Sequence, residues 1–215
     1  MRIDVIFDTV CPWCYIGKHR FERALARRPD VRPEIRWRPF LLNPEMPPGG
    51  LDRQVYLERK FGSSYRAQRV HGAAKQAAAA EGIPLNLDLI RRTPNSINSH
   101  RLIHYAAGSC QQGALVEAIF EAYFRYGQDI GDIGVLRRIA EACGLPGRDA
   151  EAYLWSGAGT PAIESENARV HRLGVSGVPC FIFEERYAMA GAQDADMLAR
   201  LIDIAHESEL ESASR

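Results

Sequence analysis

The sequence predicts an α/β fold in which a βαβ unit at the start of the chain and an αββα unit at its end are separated by an all-helical insertion. Three observations carry this. An alternating apolar stretch runs directly into Cys11-Pro12-Trp13-Cys14 and a helix. The middle of the chain is rich in Ala, Arg, Glu and Gln, with apolar residues at helical spacing and no convincing strand. The final part holds a short strand, a hairpin partner and an amphipathic helix. Residues 1–45 and 159–215 then form one discontinuous domain, and residues 46–158 a helical insertion domain.

Taken in order, Ile3, Val5 and Phe7 alternate with more polar positions and read as the first strand, with the helix that holds Gly17, His19 and Phe21 starting at the cysteine motif. Glu34 to Phe40 alternates again and reads as a second strand, so the crossover between the two is right-handed. Pro39, Pro44, Pro47 and Pro48 with Gly49 and Gly50 punctuate the chain before the insertion. Within it, Ile103, Ala106, Ala107 and Cys110 fall on one helical face, and Leu136, Ile139, Ala140 and Cys143 on another, with Asp132 placed as a cap. Thr160-Pro161 reads as a cap and first-turn proline of a helix running to about Leu173. Val178 to Phe183 reads as a strand, Arg186 to Ala190 as its hairpin partner, and Met197, Leu198, Leu201 and Ile202 as the apolar face of a last helix. The tail from about Glu207 is small and charged and reads as disordered.

Composition narrows the function. The chain has 215 residues, with 27 Lys plus Arg against 27 Asp plus Glu. That balance gives no electrostatic case for nucleic acid or an anionic membrane as partner. The apolar run Ile3 to Phe7 is interrupted by Asp4 and followed by Asp8, so it reads as neither a signal peptide nor a membrane span, and the expected location is cytoplasmic. Five cysteines are too few and too odd in number for a disulfide scaffold. In a reducing compartment a C-x-x-C pair is catalytic or metal-binding.

The motif itself is suited to thiol redox chemistry. Pro12 fits the first helical position, which puts Cys11 at the helix entrance in the field of free backbone N–H groups. Such a field favours thiolate, the form that attacks disulfides, and pulls a cysteine below the free value of about 8.5. C-x-x-C is also half of a tetrahedral zinc site, but no second C-x-x-C or H-x-x-H follows, so no metal is expected.

Phe7-Asp8, the block Cys11-Pro12-Trp13-Cys14-Tyr15-Ile16-Gly17-Lys18, the helix start Asn98-Ser99-His100-Arg101 and the turn Gly177-Val178-Pro179 together resemble the DsbA-like thioredoxin-fold family, most closely its FrnE type. The superfamily also holds 2-hydroxychromene-2-carboxylate isomerases and kappa-class glutathione transferases. Those relatives carry serine where this chain has Cys11, so the paired thiols point to disulfide exchange. The resemblance implies a thioredoxin fold, with Cys11 as the exposed nucleophile and Cys14 as the more buried resolving thiol. The redox-active disulfide between them takes the place of a permanently bound cofactor. It also implies a cis Pro179 facing the dithiol, with the Val178 backbone open to an extended substrate.

Further site residues follow at other matched positions. Trp13 is expected to be exposed between the thiols and to touch bound peptide. Asp8 matches an acidic position near the dithiol, where it would accept a proton, oppose thiolate formation, or simply close the strand. His100 and Arg101 match a helix facing the active site. Ala192, Gln193 and Asp194 match a segment that binds the γ-glutamyl end of glutathione in the glutathione-using relatives. Cys110 and Cys143 read as inert apolar-face residues. Cys180, next to Pro179, departs from the family pattern and reads as a buried strand thiol, the alternative being a thiol near the dithiol that forms a further disulfide or ligates a metal with Cys11 and Cys14. The expected activity is thiol:disulfide exchange on protein or small-molecule disulfides. A glutathione-dependent isomerase or transferase, with glutathione as co-substrate, and a peptide-binding chaperone are the alternatives. A homodimer is left open.

Overall fold

The computed structural model describes residues 1–109 and 111–213, with Ser64, Ser212 and Ala213 described in their backbone alone. Cys110 lies outside the described residues. The chain begins with strand β1 (Arg2–Phe7), helix α1 (Pro12–Ala26) and strand β2 (Glu34–Pro39). β1 and β2 pair in parallel, from Arg2 opposite Glu34 to Phe7 opposite Pro39. The end of the chain supplies helix α8 (Thr160–Arg172), strands β5 (Cys180–Phe183) and β6 (Tyr187–Ala190), and helix α9 (Ala195–Ala213). β5 pairs antiparallel with β1, and the sheet order is β2-β1-β5-β6.

Between these halves lie β3 (Leu51–Asp52), α2 (Arg53–Phe61), α3 (Ser64–Ala80), β4 (Arg92–Thr93), α4 (Ile97–Tyr105), α5 (Gln112–Phe120), α6 (Ile133–Ala142) and α7 (Gly147–Trp155). A π-helical turn over Glu121–Arg125 extends α5. The insertion is therefore helical except for an antiparallel ribbon, Leu51 opposite Thr93 and Asp52 opposite Arg92. Two residues per strand are too few to leave an alternating pattern, which is why the sequence reads as all-helical there.

Local chemistry sets the helix starts. Asp52 accepts from the amides of Gln54 (2.9 Å) and Val55 (3.2 Å), and Asp132 from that of Val135 (2.8 Å). Each cap of this kind stabilises its helix by about 1 kcal/mol. α8 is capped by Gly159, at φ 81°, and Thr160 is its first helical residue. The last helix continues to Ala213, past the expected break near Glu207, with Arg186 donating to Ser208 and the chain's amino terminus to Glu209. Met197 is 47% exposed, so the buried stripe of α9 is Ala195, Leu198, Ala199, Ile202 and Ala205. Ala107 is likewise exposed, because α4 ends at Tyr105 before the expected face is complete.

Among the described residues, three apolar clusters hold the molecule. Ile3, Val5, Phe181 and Phe183 on one sheet face pack against Phe21 of α1 and Leu198 and Ile202 of α9. On the other face Ile6 and Cys180 meet Phe40 and Val170. The largest cluster joins Phe7, Cys11, Cys14, Tyr15 and Ile16 to insertion residues such as Leu102, Ile119, Phe120 and Leu136. Side chains of this size stabilise by roughly 1.5–3 kcal/mol each when fully buried. The insertion is thereby packed onto the helix that carries the two thiols.

Candidate active site

β1 ends at Phe7, the chain turns over Asp8 to Val10, and α1 starts with Cys11 as its N-cap residue in an extended conformation (φ −93°, ψ 113°). The turn is closed by the Cys11 amide donating to the Asp8 carbonyl at 3.1 Å. Pro12 occupies the first turn, where a missing N–H costs nothing. The Cys14 amide donates to Cys11 Sγ at 3.3 Å, and Cys11 Sγ lies 3.7 Å from the Val178 carbonyl, which accepts from it. Cys11 sulfur thus meets an N–H donor from its own helix and a carbonyl from the opposite loop.

Both thiols are buried, Cys11 at 4% and Cys14 at 2% exposure, so the expected exposed nucleophile is covered. Trp13 is half-buried and leans on the large apolar cluster, where exposure was expected. The packing of the insertion over the start of α1 accounts for both. Burial raises the Cys14 thiol well above its ordinary value, reinforced by a hydrogen bond to Cys11 and by the proximity of Cys11 and Asp8. Cys14 therefore holds its proton at neutral pH.

The Val178–Pro179 peptide bond is cis. The Pro179 ring sits against α1 at Gly17: a Cβ on Gly17 would lie 2.8 Å from Pro179 Cγ and 3.5 Å from Ala192 Cβ. Gly17 is thus the residue that lets α1, the Pro179 turn and the segment before α9 approach one another. The Pro179 carbonyl also accepts from the Gly191 amide at 2.7 Å. In the Ala192-Gln193-Asp194 segment, Arg20 donates to the Ala192 carbonyl (2.7 Å) and reaches Asp194 at 3.2 Å, while Gln193 donates to the Ala190 carbonyl (2.9 Å).

Asp8 is fully buried beneath the motif. Its carboxylate accepts from the amides of Leu42 (2.8 Å) and Val10 (3.3 Å), and His100 Nε2 stands 3.4 Å from Oδ1. His100 is 2% exposed and edge-on to Phe7. Arg101, its neighbour in sequence, goes elsewhere. Its guanidinium donates to the carbonyls of Tyr153 (2.8 Å), Leu154 (3.0 Å) and Ala158 (2.7 Å) and to Asn98 Oδ1 (2.8 Å). Tyr153 and Leu154 lie in the last turn of α7 and Ala158 in the segment that follows it, so Arg101, 3% exposed, is a structural clamp on the end of that helix.

Cys180 is paired in the sheet opposite Ile6 and packs with Phe40 and Val170, a cluster separate from the one holding Cys11 and Cys14. Burial pushes its thiol up. Cys143, at the end of α6, is half-buried with its thiol also raised by burial. Among the described residues, no group of three or more His, Cys, Asp or Glu is arranged to hold a metal ion.

Two residues near the site carry no signal in the sequence. Tyr56 donates to Asn43 Oδ1 at 3.2 Å, and Lys60 donates to the same oxygen at 2.9 Å and to the Leu42 carbonyl at 3.3 Å. Burial raises the Tyr56 hydroxyl, and the nearby Asp8 and Cys11 add to the shift. α2 brings both across to the turn that hydrogen-bonds Asp8.

Residues 2–203 match the model of the DSBA-like thioredoxin domain. The fold is similar to that of a probable DsbA oxidoreductase from Streptomyces coelicolor, with a TM-score of 0.86 and 29% identity over 96% of this chain and 90% of the other. It is also similar to 2-hydroxychromene-2-carboxylate isomerase, TM-score 0.72 and 19% identity over 100% and 98% of the two chains. A third similar structure, the cytosolic disulfide reductase DsbM from Pseudomonas aeruginosa with GSH, gives 0.67 and 19% over 99% and 100%. The fold, a four-stranded sheet interrupted after its second strand by helices, is thus shared across nearly the full length of the chain, which belongs to the DSBA-like thioredoxin domain family.

Proposed function

We propose that the protein is a thiol:disulfide oxidoreductase that exchanges disulfides through Cys11-Pro12-Trp13-Cys14, with Cys11 as nucleophile, Cys14 as resolving thiol and Pro179 shaping the surface beside them. The observation that carries the reading is the asymmetry of the two sulfurs: Cys11 Sγ takes the Cys14 amide as donor, while Cys14 is held protonated by burial. An N–H donor stabilises negative charge on the sulfur that accepts it. Cys11 thiolate attacks one sulfur of a substrate disulfide and expels the other as a thiolate, leaving a mixed disulfide. Cys14 then loses its proton and attacks Cys11 sulfur, the second substrate thiolate departs, and the Cys11–Cys14 disulfide forms. Two electrons pass from the dithiol to the substrate, and the reverse sequence oxidises a dithiol. In this reading Asp8, fully buried at the end of β1, supplies the carboxylate that accepts the Cys14 proton.

Protein disulfides or small disulfides are the substrates in this reading. An extended peptide would lie along Val178, with Trp13 at its side. No helix of the described residues is long and apolar enough to cross a membrane. A cytoplasmic site of action is the location that suits a pair used reductively, as it is for the similar DsbM. The test is Cys14→Ser: it should accumulate a substrate adduct on Cys11, visible as a mass increase that reductant removes. Full turnover with nothing trapped would refute the assignment.

A glutathione-dependent reading is favoured by one observation, that Ala192 abuts the Gly17–Pro179 contact beside the motif. There the amides preceding α9 would take a glutathione carboxylate and Asp194 its ammonium, in exchange for the Arg20 pairing. Conjugation or isomerisation that persists in Cys14→Ser would favour this reading over disulfide exchange.

A further inference from the structure

We propose that the outer edge of β2, lying in a groove between α4 and α8, is a docking site for an extended peptide of alternating apolar and acidic residues, which joins the sheet there as a further strand. β2 is an edge strand of the four-stranded sheet, paired on one side alone, with β1. The phase of that pairing is fixed at both ends: the Glu34 amide donates to the Met1 carbonyl and the Phe40 amide to that of Phe7, at 2.9 Å each. Backbone groups alternate sides along a strand, so Arg36 and Arg38 also face β1, while Ile35, Trp37, Pro39 and Leu41 face outward. The far end of this edge is closed. Pro39 has no N–H, and the Leu41 amide donates to Asn167 Oδ1 of α8 at 2.8 Å. Ile35 and Trp37 find no partner for either N–H or C=O among the described residues.

The open part of the edge forms one wall of a cavity of about 960 Å³. That lies at the upper end of the roughly 300–1,000 Å³ of ligand pockets. Helices form the other walls. The Phe7 ring meets both Trp37 and His100 at 5.2 Å, so α4, with Ile103 and Ala107, lies on the Ile35 and Trp37 face of the strand. Arg38 reaches Glu166 at 3.5 Å, so α8, with Ile163 and Ser165, lies on the Arg36 and Arg38 face. A second copy of the chain would bring its own α4 and α8 against these walls, so a lone strand fits and a folded sheet does not.

The walls set the sequence of the occupant. An antiparallel strand exchanges both backbone bonds with Ile35 and both with Trp37, through two residues that stand opposite them. Those residues share the α4 side, meet Ile103 and Ala107, and are apolar. The residue between them stands beside Arg36. Arg38 already meets Asp4 (3.2 Å) as well as Glu166, whereas among the described residues Arg36 has the carboxylate of Glu34, on its own strand, at 2.7 Å and no second one. An acidic side chain opposite Arg36 supplies it. The edge lies across β1 from β5 and the Val178–Pro179 turn before it, so docking there leaves the dithiol free and the inference stands apart from the thiol chemistry.

The probe is acetyl-Val-Glu-Val-Glu-Val-amide on the full chain, read by amide hydrogen exchange. In the free protein the amides of Ile35 and Trp37 should exchange fast and those of Arg36 and Arg38 slowly. With peptide at about ten times its Kd, exchange at Ile35 and Trp37 should slow about tenfold, the other two keeping their rates. Methylating the amide nitrogen of the central valine, which removes a bond to Trp37, should abolish the protection. Acetyl-Val-Lys-Val-Lys-Val-amide should bind about tenfold more weakly. Ala107→Trp, which fills the groove from α4, should abolish binding, and Ser165→Trp fills it from α8 should the first variant not fold. Millimolar peptide that leaves Ile35 and Trp37 unprotected, protection spread evenly over all four amides, or binding that survives the groove-filling variant would each overturn the proposal. Protection in the free protein that rises with its concentration would place a second copy on the edge and overturn it too.

Discussion

Cys11 and Cys14 are buried almost equally, so accessibility does not tell them apart and the partners of each sulfur do. Cys11 is fed by an amide at 3.3 Å and Cys14 is held as a thiol by its burial and by Cys11 itself. Brief iodoacetamide treatment of the reduced protein at neutral pH should therefore label Cys11 well before Cys14 by peptide mass, and equal labelling would mean that the helix entrance confers no advantage. Gly17 gives a second outcome in which two effects compete. Alanine favours a helix interior over glycine by about 1 kcal/mol. Its Cβ, however, would stand 2.8 Å from a ring carbon of Pro179, and forced overpacking costs about 1–3 kcal/mol. The clash should win, so Gly17→Ala should lower the melting temperature and slow disulfide exchange together. A melting temperature above the parent's would show that the Pro179 turn yields freely.

At the scale of elements, α1 is fastened to the insertion by charge as well as by apolar packing. Lys18, 3% exposed, donates to Glu117 of α5 and to Glu22 at 2.6 Å each, and His19 reaches Glu117 at 3.1 Å. Burial pushes the Glu117 carboxyl up, but the hydrogen bonds from His19 and Lys18 outweigh it and hold the group at about 2. A carboxyl lowered in the folded state contributes stability that is complete above its unfolded value and lost as pH falls toward the folded one. For a group still about a quarter exposed this is on the order of 2 kcal/mol. Stability to urea should consequently fall between about pH 5 and pH 2, and Glu117→Gln should start lower and flatten that limb; an unchanged slope would show that Glu117 is not the group titrating. Such a tie is invisible in sequence, since Lys18 reads as one polar residue in an amphipathic helix and only the tertiary fold brings it to α5. The strands of the four-stranded sheet and α1 were legible because each carries a local signal, alternation or a first-turn proline, while the Val178–Pro179 turn was legible through the resemblance of Gly177-Val178-Pro179 to the family's turn. The two-residue ribbon, the continuation of α9 and the approach of Tyr56 and Lys60 were not, because no local pattern encodes them.

Across the whole molecule, Arg101 shows how a recognised motif can place a residue correctly in the chain and mislead about its task. Asn98-Ser99-His100-Arg101 does bring His100 to 3.4 Å from Asp8, yet one residue on, the side chain turns to the end of α7 and donates to three carbonyls. Periodicity places both on one helix and cannot say which neighbour each meets. Arg101→Leu would leave the buried Leu154 carbonyl without its donor, at about 1–3 kcal/mol, and remove the ties to the part-buried carbonyls of Tyr153 and Ala158. Loss of several kcal/mol in equilibrium unfolding, with exchange per folded molecule retained, is expected; a loss of exchange without loss of stability would return Arg101 to the substrate surface.

The sheet has a further consequence for the life of the chain before it is complete. β1 is made within the first residues, but one of its two neighbours, β5, lies near the far end of the sequence, with Ile6 opposite Cys180. On the ribosome the early strand must wait for about 170 further residues, and pairings between such distant segments are the slow ones in folding. Throughout that wait the carbonyl of Val178 and the ring of Pro179 are missing from the neighbourhood of Cys11. The nascent molecule thus displays the Cys11 sulfur before the loop that later packs against it has been synthesised.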